Sequence, residues 1–321
     1  MKNKPIIIVN GEPNSIFLEI FFKSLKKKNY NSPIILITSL KLFKYYMKKL
    51  NFKKKIRVLN YKNIKKTKLN KSTINLINLE YKFNPNIKKI SSQSNSFIKK
   101  SFLVGLNLLK SLNTYKFLNG PISKKNFLNK KYPGITEYIA DKTFAKKNAM
   151  LIYNKKLSVC PLTTHIPIKK VYKYITKKNI IDKTILINDF YKKYRNIKPK
   201  IAILGLNPHC ESTDKFNEDD KVLKPAIKSL KKSGFNISGP YSADTIFLKN
   251  NRRYFDVVVG MYHDQVLAPM KTIFEYDAIN ITLGLSFIRI SPDHGPNEKM
   301  LGKNLSNPSS LIQAIKFLDK S

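Results

Sequence analysis

Short β-branched runs alternate with amphipathic stretches along most of this 321-residue chain. Pro5–Val9 and Pro33–Thr38 are continuous apolar runs, which are typical of buried parallel strands. Between them, Ser15–Lys28 has apolar residues at helical spacing and a lysine-rich end that suits the helix dipole. This opening predicts a βαβ unit. The same alternation further along predicts an α/β fold with a mostly parallel sheet.

The remaining segments continue this pattern toward the carboxyl terminus. Strands are predicted at 116–118, 149–153, 157–163, 200–204, 255–261 and 278–283, and helices at 96–112, 168–176, 182–194, 223–232 and 309–318. Residues 52–95 are rich in lysine and asparagine, and their periodicity is too weak to assign elements.

The net charge of +41 suggests a nucleic-acid-binding protein, but the residue types argue against this function. Only five of the 61 basic residues are arginine, the residue that nucleic-acid readers favour for its bidentate fork and its stacking. The lysines are scattered along the whole chain. We therefore expect solvated lysine faces and no specific nucleic-acid partner. A non-catalytic basic protein that binds polyanions is retained as an alternative.

The apolar runs are too short for membrane insertion. None reaches the roughly 18 to 20 residues needed to cross a bilayer. Pro5–Val9 is also too short for a signal peptide, and the Asn10-Gly11-Glu12-Pro13 that follows lacks a small-residue cleavage pattern. We expect no membrane association and a cytoplasmic location.

Three of the four histidines follow predicted strands: His165, His209 and His263. In open α/β folds, ligands bind beyond the carboxyl ends of the strands, where these side chains could converge. Neutral imidazole is a common metal ligand, and three protein ligands leave coordination positions open for substrate. The pattern predicts a site for one divalent cation. The alternative is three loop histidines that only cap turns.

Nine short segments, spread over nearly the whole chain, carry a family resemblance. They are Gly11-Glu12-Pro13, GPISK at 120–124, PGITE at 133–137, TTHIP at 163–167, GLNPH at 205–209, GPYSADT at 239–245, MYHDQ at 261–265, NITLGLSFIR at 280–289 and DHG at 293–295. In this order they resemble the 4-hydroxythreonine-4-phosphate dehydrogenase family of vitamin B6 synthesis. GLNPH combined with YHDQ and NITLGLSFIR is the most specific part of the resemblance.

The resemblance implies an isocitrate-dehydrogenase-like α/β fold with two α/β/α domains and a cleft between them. The first domain would comprise approximately residues 1–130 plus 275–321. The second, residues 131–274, would contribute the metal ligands and the dimer interface. The family forms homodimers with active sites at the subunit interface, so we expect the same of this chain.

The implied reaction is the NAD(P)-dependent oxidation of 4-phosphohydroxy-L-threonine, followed by decarboxylation to 3-amino-2-oxopropyl phosphate. The implied cofactors are NAD or NADP and one divalent metal per active site, with zinc, magnesium and cobalt as the candidate ions. The family's metal-ligand positions fall on His165, His209 and His263, shared between the two chains. No GxGxxG motif is present, so the residues that contact the nicotinamide cofactor stay unassigned.

The family's substrate contacts fall on Thr136, Lys271, Asn280 and Arg289. Lys271 and Arg289 can bind phosphate or carboxylate by charge-assisted hydrogen bonds, while Thr136 and Asn280 offer neutral ones. Two alternatives remain open: Asn280 as a turn former at a strand end, and Arg289 as a buried ion pair with an acid such as Asp293.

The reaction needs a general base, for which Asp244 and Asp264 are both candidates. Each could equally serve as a support for neighbouring groups. The chain has Ile135 where the family has histidine in a Gly-His-Thr-Glu motif, and isoleucine cannot hydrogen-bond a substrate. This departure keeps open a second reading, in which the same fold and metal chemistry act on a different phosphorylated hydroxy acid.

Overall fold

A computed structural model describes residues 4–86, 89–128, 132 and 134–321, except for the side chains of residues 124 and 125. Pro133 of the PGITE segment and the Lys124 side chain of the GPISK segment therefore lie outside the described part. The strands are β1 (Ile6–Val9), β2 (Ile34–Thr38), β3 (Ile56–Val58), β4 (Ile74–Asn78), β5 (Lys116–Asn119), β6 (Ala149–Tyr153), β7 (Ser158–Pro161), β8 (Ile201–Leu204), β9 (Ile237–Tyr241), β10 (Val257–Gly260), β11 (Ile279–Leu283) and β12 (Ile288–Pro292).

The helices fall between these strands. They are α1 (Phe17–Lys27), α2 (Leu40–Lys49), α3 (Asn95–Ser111), α4 (Lys124–Phe127), α5 (Ile135–Lys142), α6 (Lys177–Arg195), α7 (Lys224–Lys232), α8 (Ala243–Ile246), α9 (Lys249–Arg252), α10 (His263–Phe274) and α11 (Ser309–Lys320). Among the described residues, no helix combines the length and the apolar character needed to span a bilayer.

The chain forms two compact units. The first comprises Met1–Ile135 and Ser286–Ser321, and the second is Thr136–Leu285. The division expected from the family resemblance, at 130/131 and 274/275, would assign β11 to the first domain, whereas β11 lies in the second unit.

The first unit is built on parallel strands in the order β3-β4-β2-β1-β5-β12. All four residues of β1 and all five of β2 are buried, because both faces of a parallel sheet are covered by helices. The first helix of the βαβ opening ends in Lys26 and Lys27, at the end of the dipole that favours positive charge. The predicted βαβ opening is confirmed.

The second unit has the strand order β11-β6-β7-β10-β8-β9. The pairs among β7, β10, β8 and β9 are parallel, whereas β6 is antiparallel to both β7 and β11. Apolar residues of β7, β8 and β10 pack beneath α10, which places Val266 and Met270 in the core. The α/β fold class is confirmed, and most strand pairs are parallel.

In the second unit, one predicted helix has a different form, and several elements, among them α10, are not predicted. The predicted helix at 168–176 is a 3-10 helix, Ile168–Tyr174. Helix α10 was missed, because its polar start in His263 and Asp264 and its internal Pro269 are both typical of a turn.

Candidate active site

The three predicted histidines follow three neighbouring strands of the second unit. His165 lies in the loop after β7, His209 in the loop after β8, and His263 is the first residue of α10, directly beyond β10. Strand β10 pairs in parallel with both β7 and β8, so the carboxyl ends of all three strands lie at one edge of the sheet. The strand-end placement predicted for these residues is therefore present in the structure.

Two of the imidazoles lie side by side. The ring centroids of His165 and His263 are 5.3 Å apart, with a tilt of 42° between the ring planes. Nδ1 of His263 lies 2.6 Å from Oδ1 of Asp264, so a carboxylate holds one side of this ring and leaves Nε2 for another partner. In the loop that carries His165, Thr164 donates a hydrogen bond to Oε1 of Glu137 at 3.1 Å.

The spacing of this pair fits a shared divalent cation. A Zn–N bond of about 2.1 Å and a tetrahedral angle would hold two imidazole centroids about 5 Å apart. The observed 5.3 Å agrees with that value. The contact between Asp264 and Nδ1 of His263 is also the carboxylate–histidine arrangement that orients metal-binding imidazoles.

Among the described residues of a single chain, His209 is not part of a three-ligand group. Across residues 4–86, 89–128, 132 and 134–321, no three histidine, cysteine, aspartate or glutamate side chains are grouped closely enough to hold a metal ion. His209 is held in the left-handed region, with φ of 53°, which is uncommon for a residue that has a Cβ. The structure brings His165 and His263 together, and the metal-binding role of all three histidines stays a prediction.

The GLNPH loop that carries His209 is fixed by a buried acid that the sequence did not single out. The carboxylate of Asp219, which is fully buried, accepts hydrogen bonds from the backbone N–H of Leu206 at 2.9 Å and of Asn207 at 3.2 Å. It also accepts one from the side-chain amide of Asn207 at 2.9 Å. No sequence signal marked this residue, since its function depends on a loop that lies beside it only after folding.

Two predicted substrate residues of the second unit lie on adjoining elements. Thr136, on α5, is buried, and its Oγ1 lies 3.4 Å from Oγ1 of Thr282 on β11. Asn280 precedes Thr282 by two residues and therefore shares its face of the strand. Oδ1 of Asn280 is buried and has no hydrogen-bond partner among the described residues.

The remaining candidates of this unit lie at helix positions. Lys271 is half-buried on α10, about two turns beyond His263. Asp244 is exposed in the first turn of the short helix α8. Asp264 is exposed except for its contact with His263. That contact places a carboxylate beside Nδ1 of His263.

Arg289 belongs to the first unit, on β12, and its side chain is fully buried. Its Nε donates a hydrogen bond to Oδ1 of Asn119 at 2.7 Å, and the amide of Asn119 donates to the carbonyl of Gly120. The guanidinium is thereby oriented by a neutral side chain at the carboxyl end of β5. A buried, oriented guanidinium is suited to bidentate recognition of phosphate or carboxylate.

Glu12, in the Gly11-Glu12-Pro13 segment, is a buried acid for which no role was predicted. Its carboxyl group accepts hydrogen bonds from Oγ of Ser94 at 3.0 Å and from the backbone N–H of Asn14 at 3.4 Å. Burial outweighs these bonds and raises the pKa of Glu12 to about 7.

The preceding Gly11 has φ of 74°, and a Cβ there would lie 2.5 Å from the carbonyl oxygen of Pro121. Only glycine fits this turn.

The fold is shared with solved enzyme structures. 4-Hydroxythreonine-4-phosphate dehydrogenase from Klebsiella pneumoniae aligns with a TM-score of 0.83 and 25% identity, over 99% of each chain. Isocitrate dehydrogenase from Methylococcus capsulatus aligns with a TM-score of 0.52 and 10% identity, over 98% of this chain and 84% of that chain, which shows the fold alone. The class is therefore an α/β protein with an isocitrate-dehydrogenase-like fold and a polar site at the carboxyl edge of a parallel sheet.

The sequence comparisons give the family. The family model described as "Pyridoxal phosphate biosynthetic protein PdxA" matches residues 29–318. The 4-hydroxythreonine-4-phosphate dehydrogenase of Sulfurihydrogenibium sp. (strain YO3AOP1) is 39% identical over 323 residues, covering 97% of this chain and 96% of the relative. The chain belongs to the PdxA family of pyridoxal phosphate biosynthetic proteins, and it is an enzyme of the dehydrogenase class.

Proposed function

We propose that this chain is a 4-hydroxythreonine-4-phosphate dehydrogenase of pyridoxal phosphate biosynthesis. It oxidises the secondary alcohol of 4-phosphohydroxy-L-threonine with NAD or NADP, and the resulting β-keto acid loses CO2 to give 3-amino-2-oxopropyl phosphate. The observation that carries the proposal is the His165–His263 pair, 5.3 Å apart at the carboxyl edge of the sheet, in a chain similar over its length to a relative of that name.

One divalent cation would be held by His165 and His263 of one copy of the chain and by His209 of a second copy. The proposal of a homodimer is supported by the absence of a three-ligand group within the described part of a single chain. Zinc, cobalt and magnesium are the candidate ions, of which zinc and cobalt best suit imidazole ligands. A cation bound there supplies positive charge that stabilises developing negative charge on substrate oxygens.

The protein's own side chains bind and orient the substrate. Lys271 and Arg289 bind its phosphate and carboxylate groups, because both are cationic and Arg289 is already oriented by Asn119. Thr136 and Asn280 add neutral hydrogen bonds, and Oδ1 of Asn280 has no hydrogen-bond partner among the described residues.

The general base is proposed to be one of two acids, Asp244 or Asp264. Asp264 holds Nδ1 of His263 at 2.6 Å and so fixes the tautomer of that ring. Asp244, exposed at the start of α8, is the other candidate for the general base that accepts the proton of the alcohol.

The two alternatives are not favoured. The relative that carries the 4-hydroxythreonine-4-phosphate dehydrogenase name is 39% identical, whereas the D-threonate 4-phosphate dehydrogenase of Salmonella typhimurium is 28% identical, and the higher identity supports the first substrate over another phosphorylated hydroxy acid. A polyanion-binding role does not explain the orientation of the buried Arg289 by Asn119, nor the proximity of His165 and His263. We propose that the enzyme acts in the cytoplasm as a homodimer, without a nucleic-acid or membrane partner.

The test is a coupled assay on the purified chain. Protein stripped with a chelator is supplied with zinc, cobalt or magnesium, and NAD(P)H formation and CO2 release are followed with 4-phosphohydroxy-L-threonine. Related hydroxy-acid phosphates serve as comparison substrates. We expect turnover with the first substrate that requires metal, and its loss in His263→Ala. Turnover of a comparison substrate alone would disprove the proposal.

A further inference from the structure

The side chain of Gln265 connects the helix that begins at His263 with the loop that carries His209. Its Nε2 donates a hydrogen bond to the carbonyl oxygen of Gly205, the first residue of GLNPH, at 2.8 Å. Its Oε1 accepts one from the backbone N–H of Met261, at the end of β10, at 2.6 Å. Both bonds are buried, so they are not exchanged with water.

Met261 extends this connection to the loop that carries His165. Its carbonyl oxygen accepts a hydrogen bond from Oγ1 of Thr163 at 2.7 Å, and Thr163 lies two residues before His165. The path Thr163–Met261–Gln265–Gly205 therefore links the loops that carry His165 and His209 to the start of α10, which carries His263. Every side-chain bond in the path is buried, where hydrogen bonds are strong and the loss of one partner is costly.

The position requires a carboxamide. One group must accept from a backbone N–H and donate to a backbone carbonyl at the same time, which glutamine does and an ionised glutamate or a methionine does not. The neighbouring backbone is closely packed, since a Cβ on Gly260 would lie 2.4 Å from Cγ1 of Val266 and 3.0 Å from Oε1 of Gln265. The side chain is also largely enclosed, with 8% of its surface exposed.

We propose that Gln265 is a positioning residue that sets the distance between the histidine loops and thereby the affinity of the site for its divalent cation, with Thr163 as its partner in the same path. This inference rests on the proposed function, in which these histidines bind the cation. It applies whether His209 serves the site of its own chain or of a second copy, because the path fixes how each chain presents its ligands.

The first experiment compares Gln265→Glu with Gln93→Glu. Gln93 is exposed in the first unit and controls for the added negative charge. Binding of Co²⁺ and Zn²⁺ to full-length, chelator-stripped protein is measured by competition with a chromophoric chelator, together with the visible spectrum of the Co²⁺ form. The circular dichroism and the unfolding temperature of the metal-free proteins are recorded in parallel. Outer groups that orient metal ligands typically change affinity by about 10- to 100-fold.

We expect Gln265→Glu to lose affinity by about tenfold or more and to alter the Co²⁺ spectrum, while Gln93→Glu matches the wild type. A purely structural role predicts a lower unfolding temperature with unchanged metal affinity and spectrum, which would overturn the inference. If Gln265→Glu does not fold, Gln265→Met replaces it in the same measurements. Methionine has a similar length, adds no charge and forms neither hydrogen bond, so it should lose metal affinity in the same way.

Thr163 supplies an independent pair of variants. Thr163→Ser keeps the hydroxyl that donates to Met261 and should retain wild-type affinity, whereas Thr163→Val removes it and should weaken binding. Equal affinity of the two variants contradicts the path. If the wild-type protein binds neither metal, the proposed function fails together with the inference. If it binds metal and all variants bind equally, only the inference fails.

Discussion

The imidazoles of His165 and His263 lie 5.3 Å apart, at the ends of the neighbouring parallel strands β7 and β10. His209 follows β8, which adjoins β10 on the other side, yet within the described part of one chain it completes no three-ligand group. The proposed site uses all three histidines by combining two copies of the chain. This arrangement can be tested with pairs of inactive variants.

Mixing His209→Ala with His263→Ala should restore activity. In a mixed dimer, one site would have His165 and His263 from one chain and His209 from the other, while the second site would lack two ligands. Random mixing of two chains in a symmetric dimer should recover about a quarter of wild-type activity. The measurement is NAD(P)H formation after the two inactive proteins are co-refolded.

The matched control is a mixture of His165→Ala with His263→Ala. These two residues lie in one chain as a pair, so every mixed dimer would lack one ligand at each site and no activity should return. If activity returns in this control, or if none returns when His209→Ala is mixed with His263→Ala, the site does not combine His165 and His263 of one chain with His209 of the other.

The strand-end placement of the histidines could be predicted because it depends on local signals. Runs such as Val257–Gly260 are continuously apolar, and a polar residue that follows them must lie at a strand end. The proximity of His165 to His263 could not be derived in this way. It depends on β10 lying between β7 and β8, and this order is set by packing between segments far apart in sequence. The roles of Asp219 and Gln265 depend on the same packing.

The least predictable part of the fold was residues 52–95. The structure places β3 and β4 there, as the outer strands of the first sheet. Strand β3 has only three residues, and two of them are exposed, so it has neither a buried run nor a regular alternation. Lysine and asparagine, abundant throughout the chain, further weaken the contrast between buried and exposed positions.

Replacing Ile135 by histidine should improve substrate binding. Ile135 is the first residue of α5 and precedes the buried Thr136, at the position where the family resemblance implies a histidine. A hydrogen bond from that imidazole to the charged substrate should lower KM by about tenfold with little change in kcat. Steady-state kinetics of Ile135→His are compared with those of Ile135→Leu, which adds no donor. An unchanged or higher KM in the histidine variant would show that this position does not contact the substrate.

Replacing Arg289 by lysine should impair catalysis although the charge is retained. The buried guanidinium uses Nε to bond Asn119, and its remaining N–H groups can form a bidentate fork toward an anionic substrate group. A lysine ammonium cannot do both in the same geometry. We expect kcat/KM to fall about 100-fold, or about 3 kcal/mol. Arg253→Lys, an exposed arginine of the second unit, should have no effect. Wild-type kinetics in Arg289→Lys would exclude Arg289 from substrate binding.

Glu12 should make the free energy of unfolding depend on pH. Burial raises the pKa of its carboxyl group from 4.5 to about 7, so the folded protein holds a proton that the unfolded chain releases at lower pH. Its contribution to stability therefore decreases as the pH rises from about 4.5 to about 7, by up to about 3 kcal/mol, and is constant above that range. Glu12→Gln has no titrating group, so the stability of the wild type relative to this variant should fall over the same interval. Urea unfolding at several pH values measures the difference, with the exposed Glu80→Gln as the control. A difference that is constant with pH, or that grows in favour of the wild type as the pH rises, would mean that the Glu12 carboxylate is well solvated or paired in the folded protein.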